Sequence, residues 1–235
     1  MKTKNILTFL LLIFISFGYS QKKELRNANK FYDSGEYLSA LDLLETSKSI
    51  FDSSDDKIKS QVMFLYGKIY TSTEDFELAI KSFNNSRELG ANENDLNSEI
   101  NKLETAIITS AIADNESENF SDAAKKLKIV YDINPENNAL YLYYAASSAV
   151  NSNDLSLALE YYLILRDIKY EGIETKYYIT DVSNETEIEI SSETEFNLLK
   201  KSKDYSNPRE EETESKFPEI VKNIAIIYKQ LGQND

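Results

Sequence analysis

One spacing recurs along this chain and constrains its fold more than any other feature. It first reads Ala28, Phe31, Gly35, Tyr37, Ala40 and Leu44. It returns as Gly67, Tyr70, Phe76, Ala79 and Phe83, and then as Ala111, Phe120, Ala123 and Leu127, with Pro135 closing the unit. A fourth copy holds Ala146, Leu155, Ala158 and Tyr162, and a fifth begins at Ala225, Tyr228 and Gly232. Small residues twelve positions apart on either side of a turn mark two helices that cross closely, because a larger side chain would push the axes apart. The fourth copy shows the logic. Leu142, Ala145, Ala146 and Ala149 lie on one helical face, Asn151-Ser152-Asn153-Asp154 breaks the helix, and Leu155, Ala158, Leu159, Tyr162 and Leu165 form the inner side of a second. Gly35 reads as a helix terminator in the left-handed conformation.

The spacing resembles the tetratricopeptide repeat, a helix-turn-helix of about 34 residues with small residues and aromatics at these places. The likeness covers most of residues 22–170 and the last twenty or so. The copies are degenerate: Glu24, Met63, Ile107, Leu142 and Val221 stand where the family's first-helix Trp is usual, and Asp114 stands where an aromatic is expected. The resemblance implies an all-α right-handed superhelix, with four hairpins over 21–170. The copies are 39, 44 and 35 residues apart, counted from Ala28 to Gly67, Ala111 and Ala146. The excess falls in Ser47–Ser60 and Arg87–Asn101, expected to be lengthened helices or polar connections.

The last interval, from Ala146 to Ala225, contains an insertion at 171–216. Lys176–Thr180 and Thr186–Ile190 alternate as strands, with Ser183-Asn184 between them as a turn signal, so a β-hairpin is expected. Ser192 is placed to cap a short helix carrying Phe196 and Leu199. Tyr205–Ser215, polar and charged, reads as a loop. The insertion is either a surface elaboration or a flap that helps hold a ligand beside the groove. A further first helix, Glu219–Leu231, carries Ile220, Ile224, Ile227 and Tyr228 on one stripe. Over 217–235 it reads as an incomplete repeat, so the chain is expected to be a fragment of a longer product.

The first twenty residues differ in character. Lys2 and Lys4 precede an apolar run from Ile6 to Phe17, and Gly18-Tyr19-Ser20 offers small residues where a signal peptidase reads. The run is shorter than the ~20 residues a membrane span needs. A cleaved signal peptide ending about Ser20/Gln21, export to a bacterial periplasm or cell envelope, and no stable membrane insertion after cleavage are therefore expected. Removing Lys2 and Lys4 from 26 basic residues leaves 24 against 40 acidic, a net charge of −16. Such a balance opposes nucleic-acid binding, which neutralises phosphates with Lys and Arg, and favours cationic partners.

Chemistry is narrowed by composition. The chain has no Cys and no His, which removes thiolate nucleophiles, the common zinc ligands and the usual neutral-pH base. The acidic runs Asp52-Ser53-Ser54-Asp55-Asp56, Glu93-Asn94-Asp95 and Glu210-Glu211-Glu212 lack an EF-hand's Gly and distal Glu and read as solvated loops. No cofactor, metal or catalytic residue is expected, and the chain is read as a non-enzyme.

The family resemblance implies that outward positions of each first helix line a concave groove. Copy by copy these are Asn29, Tyr32 and Asp33; Phe64, Lys68 and Thr71; Ile108, Ile112 and Asn115; Tyr143, Ser147 and Asn151; and Lys222, Ile226 and Lys229. Asn suits a peptide backbone, and Tyr and Phe suit side-chain anchoring. Packing between repeats is the other reading of these positions. The expected function is an exported interaction scaffold holding a protein or peptide. Two alternatives stay open: an envelope glycan or small-ligand module with the insertion as lid, and the repeat region of a larger protein whose catalytic or signalling domain lies beyond Asp235. The sequence leaves the oligomeric state open.

Overall fold

The computed structural model describes residues 20–232. The expected signal peptide lies outside the described residues, apart from Ser20. Among the described residues the chain forms two compact units, divided after Glu118. It is mostly helical, with one small antiparallel sheet.

The first unit contains α1 (20–33), α2 (Tyr37–Thr46), α3 (Lys48–Asp52), α4 (Asp56–Ser72), α5 (Phe76–Glu88) and α6 (Glu93–Glu116). Its core joins Leu25 and Ala28 of α1 to Ala40 and Leu44 of α2, Phe51 of α3, and Ile58, Val62, Leu65 and Ile69 of α4. The α4/α5 hairpin is set by its small residue. A Cβ on Gly67 would stand 2.5 Å from two atoms of the Phe83 ring, so only glycine lets the two helices approach this closely. Farther along the same hairpin, Ser60 and Ser86 each donate a hydroxyl hydrogen bond of 2.9 Å to the other's carbonyl oxygen.

The second unit contains α7 (Phe120–Ile133), α8 (Ala139–Asn151), α9 (Leu155–Asp167), β1 (Thr175–Asp181), β2 (Thr186–Ile190), α10 (Glu193–Leu199), β3 (Tyr205–Glu212) and α11 (Phe217–Gln230). Ala145, Ala146, Ala149 and Ala158 are fully buried between α8 and its neighbours. On α11, Ile220, Ile224 and Ile227 turn inward and Ala225 stays exposed.

The hairpin turns share one local geometry. Seven residues after each small first-helix residue (Ala28, Gly67, Ala111, Ala146, Ala225) stands a residue with positive φ: Gly35, Glu74, Glu118, Asn153 and Gly232. At the first, second and fourth turns the next amide closes back over the helix end: Glu36 donates to Phe31, Asp75 to Tyr70, and Asp154 to Ala149. This is the Schellman closure, which satisfies carbonyls left open at a helix terminus. The second helix starts two residues after the left-handed residue in the first four copies. Ala40, Ala79, Ala123 and Ala158 are then fully buried. The excess length is helical in both places: α3 extends the first copy beyond a break at Ser47, and the 24-residue α6 lengthens the next.

The insertion differs from expectation in one element. The hairpin forms, with Tyr177 opposite Ile190 and Thr180 opposite Glu187. The Ser192 hydroxyl accepts from the Glu195 amide at the start of α10. Tyr205–Glu212, however, is a strand and not a loop: β3 pairs antiparallel with β1, giving the order β2-β1-β3. The reading as a loop followed from the segment's polar and charged character, which takes in Pro208 and three consecutive glutamates. Those are edge-strand features, since an edge strand can carry Pro and charge without losing its one ladder. Ile179, Ile190 and Phe196 form the small core beneath this sheet. On the opposite face Arg209 lies 4.2 Å from the Tyr178 ring centre and bridges Glu187 and Glu211.

Among the described residues, no helix is long and apolar enough to cross a membrane.

Candidate functional site

In the first unit the structure brings Tyr32 and Lys68 together. The Lys68 ammonium sits 4.1 Å from the centre of the Tyr32 ring, well within cation–π range, and Tyr37 lies tilted at 5.5 Å on the same ring. Asn29 turns back on its own helix and donates to the Leu25 carbonyl. Phe64 is half-buried and meets Phe83 edge-on at 5.9 Å, so it shares in hairpin packing. Thr71 donates to the Gly67 carbonyl. Asp33 is exposed, Ile108 half-buried, and Ile112 is exposed on α6, where Asn115 lies half-buried in the last turn.

The second unit holds the more developed site. Tyr143, Ser147 and Asn151 climb one face of α8 at intervals of four, and Ser147 donates to the Tyr143 carbonyl. Ser147 and Asn151 open onto a cleft of about 300 Å³ between α8, α9 and α11. Its apolar lining is Val150, Leu155, Ile226 and Ile227, and its polar lining includes Asn223 and Gln230. The Asn223 amide donates to the Tyr162 hydroxyl at 3.2 Å, which fixes one wall. Asn151 is exposed at the end of α8. A cleft of this size with an apolar floor and carboxamides at its edge can seat one side chain and bond the main chain on either side of it. Lys222 and Lys229 project from α11 into solvent and do not line it.

Tyr143 is tied into the molecule below this cleft. Its hydroxyl donates to Glu219 at 3.0 Å, and the Lys216 ammonium stands 5.1 Å from its ring centre. Burial, followed by the bond to Glu219, pushes the Tyr143 hydroxyl pKa well above the ordinary tyrosine value. Thus in both units an expected groove tyrosine already carries a lysine from its own chain.

Sequence reasoning missed Lys216, Glu219, Asn223 and Tyr170. Glu219 carried a weak signal as an acidic residue in the first turn after Pro218. The others had none, because their partners lie on α8 and α9, 61 residues away for Asn223. It also missed a cleft of about 210 Å³ in the first unit, lined by residues of α2–α5. There Tyr66 donates to Glu45 at 2.8 Å and stacks on Tyr70 at 5.8 Å.

The chain matches no protein-family model, and none of the curated proteins matches it. The tetratricopeptide likeness therefore rests on residue spacing alone.

Proposed function

We propose that the chain is a non-enzymatic scaffold of tetratricopeptide type, exported to the cell envelope, which binds an extended segment of a protein partner. The observation that carries this reading is the α8–α11 cleft. Its apolar floor is flanked by Asn151, Asn223 and Gln230, groups that can donate to and accept from a peptide backbone. The left-handed residue recurring seven positions after each small residue supports the repeat reading. The residues 1–20, by their sequence alone, support export.

The test is selection of displayed peptides on the chain from residue 21, repeated with Asn151→Ala and Ile226→Asp. Both positions are exposed, so both variants should keep the native helical circular dichroism. Peptides enriched on the native chain should lose at least tenfold in affinity on each variant. Affinities unchanged in both variants would remove the cleft as the binding site.

A further inference from the structure

The base of the insertion builds a second feature beside the cleft. Tyr143 is its centre: Tyr144 lies 6.0 Å and Tyr170 6.4 Å away, ring centre to ring centre. Two carboxylates act on these rings. Glu219 accepts the Tyr143 hydroxyl, and Glu174 lies close enough to Tyr144 and Tyr170 to add to the rise in both their pKa values. The insertion's stem closes here through three hydrogen bonds. Lys216 donates its amide to the Glu171 carbonyl, Thr213 donates its amide to the Glu174 carbonyl, and the Glu174 amide donates to the Thr213 hydroxyl. A Cβ on Gly172 would meet the Lys216 stem at 2.8 Å and the Tyr170 ring at 2.9 Å. Glycine at this position, at φ +56, lets the lysine stem and the ring close over the backbone.

Clustered tyrosine rings with carboxylates near them are chemistry that can hold an organic cation. The chain's own Lys216 now stands on the central ring, its ammonium reaching the Tyr143 face. Lys216 caps the start of α11 but makes no side-chain hydrogen bond to that helix end. Tyr144 is 43% exposed, so the ring cluster opens to solvent on that side.

We infer that Tyr143, Tyr144, Tyr170, Glu174 and Glu219 form a binding site for a lysine or arginine side chain of a partner polypeptide, which Lys216 occupies in the free chain. The inference rests on the proposed function only in having a polypeptide carry the cation. The site itself is independent of the α8–α11 cleft. Binding exchanges one cation for another, so Lys216 sets the affinity by competition. The high acidic excess of the chain brings cationic segments toward it.

The experiment is an NMR titration of the full chain, with labelled tyrosine rings, by Nα-acetyl-lysine N-methylamide and by its neutral norleucine analogue. Lys216→Ala and Lys216→Gln both remove the competing charge, so one remains informative if the other misfolds. Each should bind the lysine amide at least threefold more tightly than the native chain, with shifts at Tyr143, Tyr144 and Tyr170. Lys216→Arg should bind as weakly as the native chain. Adding Tyr170→Leu to Lys216→Gln should cancel the gain. A purely structural Lys216 would give variants of lower stability with no gain in binding. That result, or equal binding of the norleucine analogue, overturns the site. Loss of peptide binding through Asn151→Ala tests the cleft separately.

Discussion

Gly67→Ala is the sharpest test of how the first unit is held together. Gly67 lies inside α4, where glycine costs about 1 kcal/mol relative to alanine. On helix propensity alone the substitution should stabilise. The geometry opposes this. The added methyl would stand 2.5 Å from Cδ1 and Cε1 of Phe83 and 2.8 Å from Cζ. Phe83 is 1% exposed, and Phe64 meets its ring edge, so the ring has little room to give. Overpacking of this kind costs about 1–3 kcal/mol. Set against the propensity gain, the net is a loss of about 1 kcal/mol, a fall in melting temperature of about 2–4 °C for a chain of this size. Urea unfolding followed by circular dichroism measures it, and native-state hydrogen exchange of the α4 amides locates it. Phe83→Leu supplies the control. It removes the obstructing ring edge, so the double variant should lie at least about 1 kcal/mol above the sum of the singles. A Gly67→Ala protein more stable than the native one, or a cycle additive within about 0.5 kcal/mol, would refute close helix crossing as the reason for this glycine.

Ser60→Ala should cost about 1 kcal/mol in urea unfolding, the net worth of one buried hydrogen bond, because Ser60 and Ser86 bond reciprocally across α4 and α5. The two hydroxyls also lie 3.2 Å from each other, so the Ser60→Ala/Ser86→Ala pair should cost less than the sum of its singles; a larger cost would contradict the pairing. The second test is alkaline stability. Burial, then the nearby Glu160, Asp132 and Asp154, pushes the Tyr161 hydroxyl up to about 12. The unfolded chain releases this proton near pH ~10, and the folded chain retains it. Stability is therefore complete below about pH 10 and falls as pH rises toward 12, by up to ~1.4 kcal/mol per pH unit for one such group. Urea midpoints measured from about pH 8 to 11.5 should fall less steeply for Tyr161→Phe than for the native chain. Parallel slopes would show that Tyr161 ionises as freely folded as unfolded.

What the sequence made legible is what size and backbone conformation dictate. Close helix crossings need small residues, and a chain that reverses after a helix needs a left-handed residue at a fixed offset. Ala28, Gly67 and Ala146 announced the first requirement. Gly35 and Asn153 announced the second, since both types tolerate positive φ. Glu74 and Glu118 adopt the same conformation without advertising it: the flanking helices impose it against their own preference. The break at Ser47 between α2 and α3 left no trace in the apolar pattern either.

The site was less legible because its contacts join residues distant in sequence. Spacing along α8 placed Tyr143, Ser147 and Asn151 on one face, and two of them do line a cleft. Spacing could not reveal that Tyr143 is engaged by Lys216 and Glu219, which follow an insertion whose length carries no register with α8. The strand β3 illustrates the same division. Its residues show almost no apolar alternation, since its side chains are mostly exposed. What makes it a strand is the ladder offered by β1 and the stacking of Arg209 on Tyr178. Pro208 and the three glutamates then discourage a further strand from joining on its outer side. The features that hid this strand from a sequence reading are thus the ones that fit it to end the sheet. A sequence pattern tuned to cores reads an interior well. It is blind to the edges and tethered side chains, where a binding surface is made.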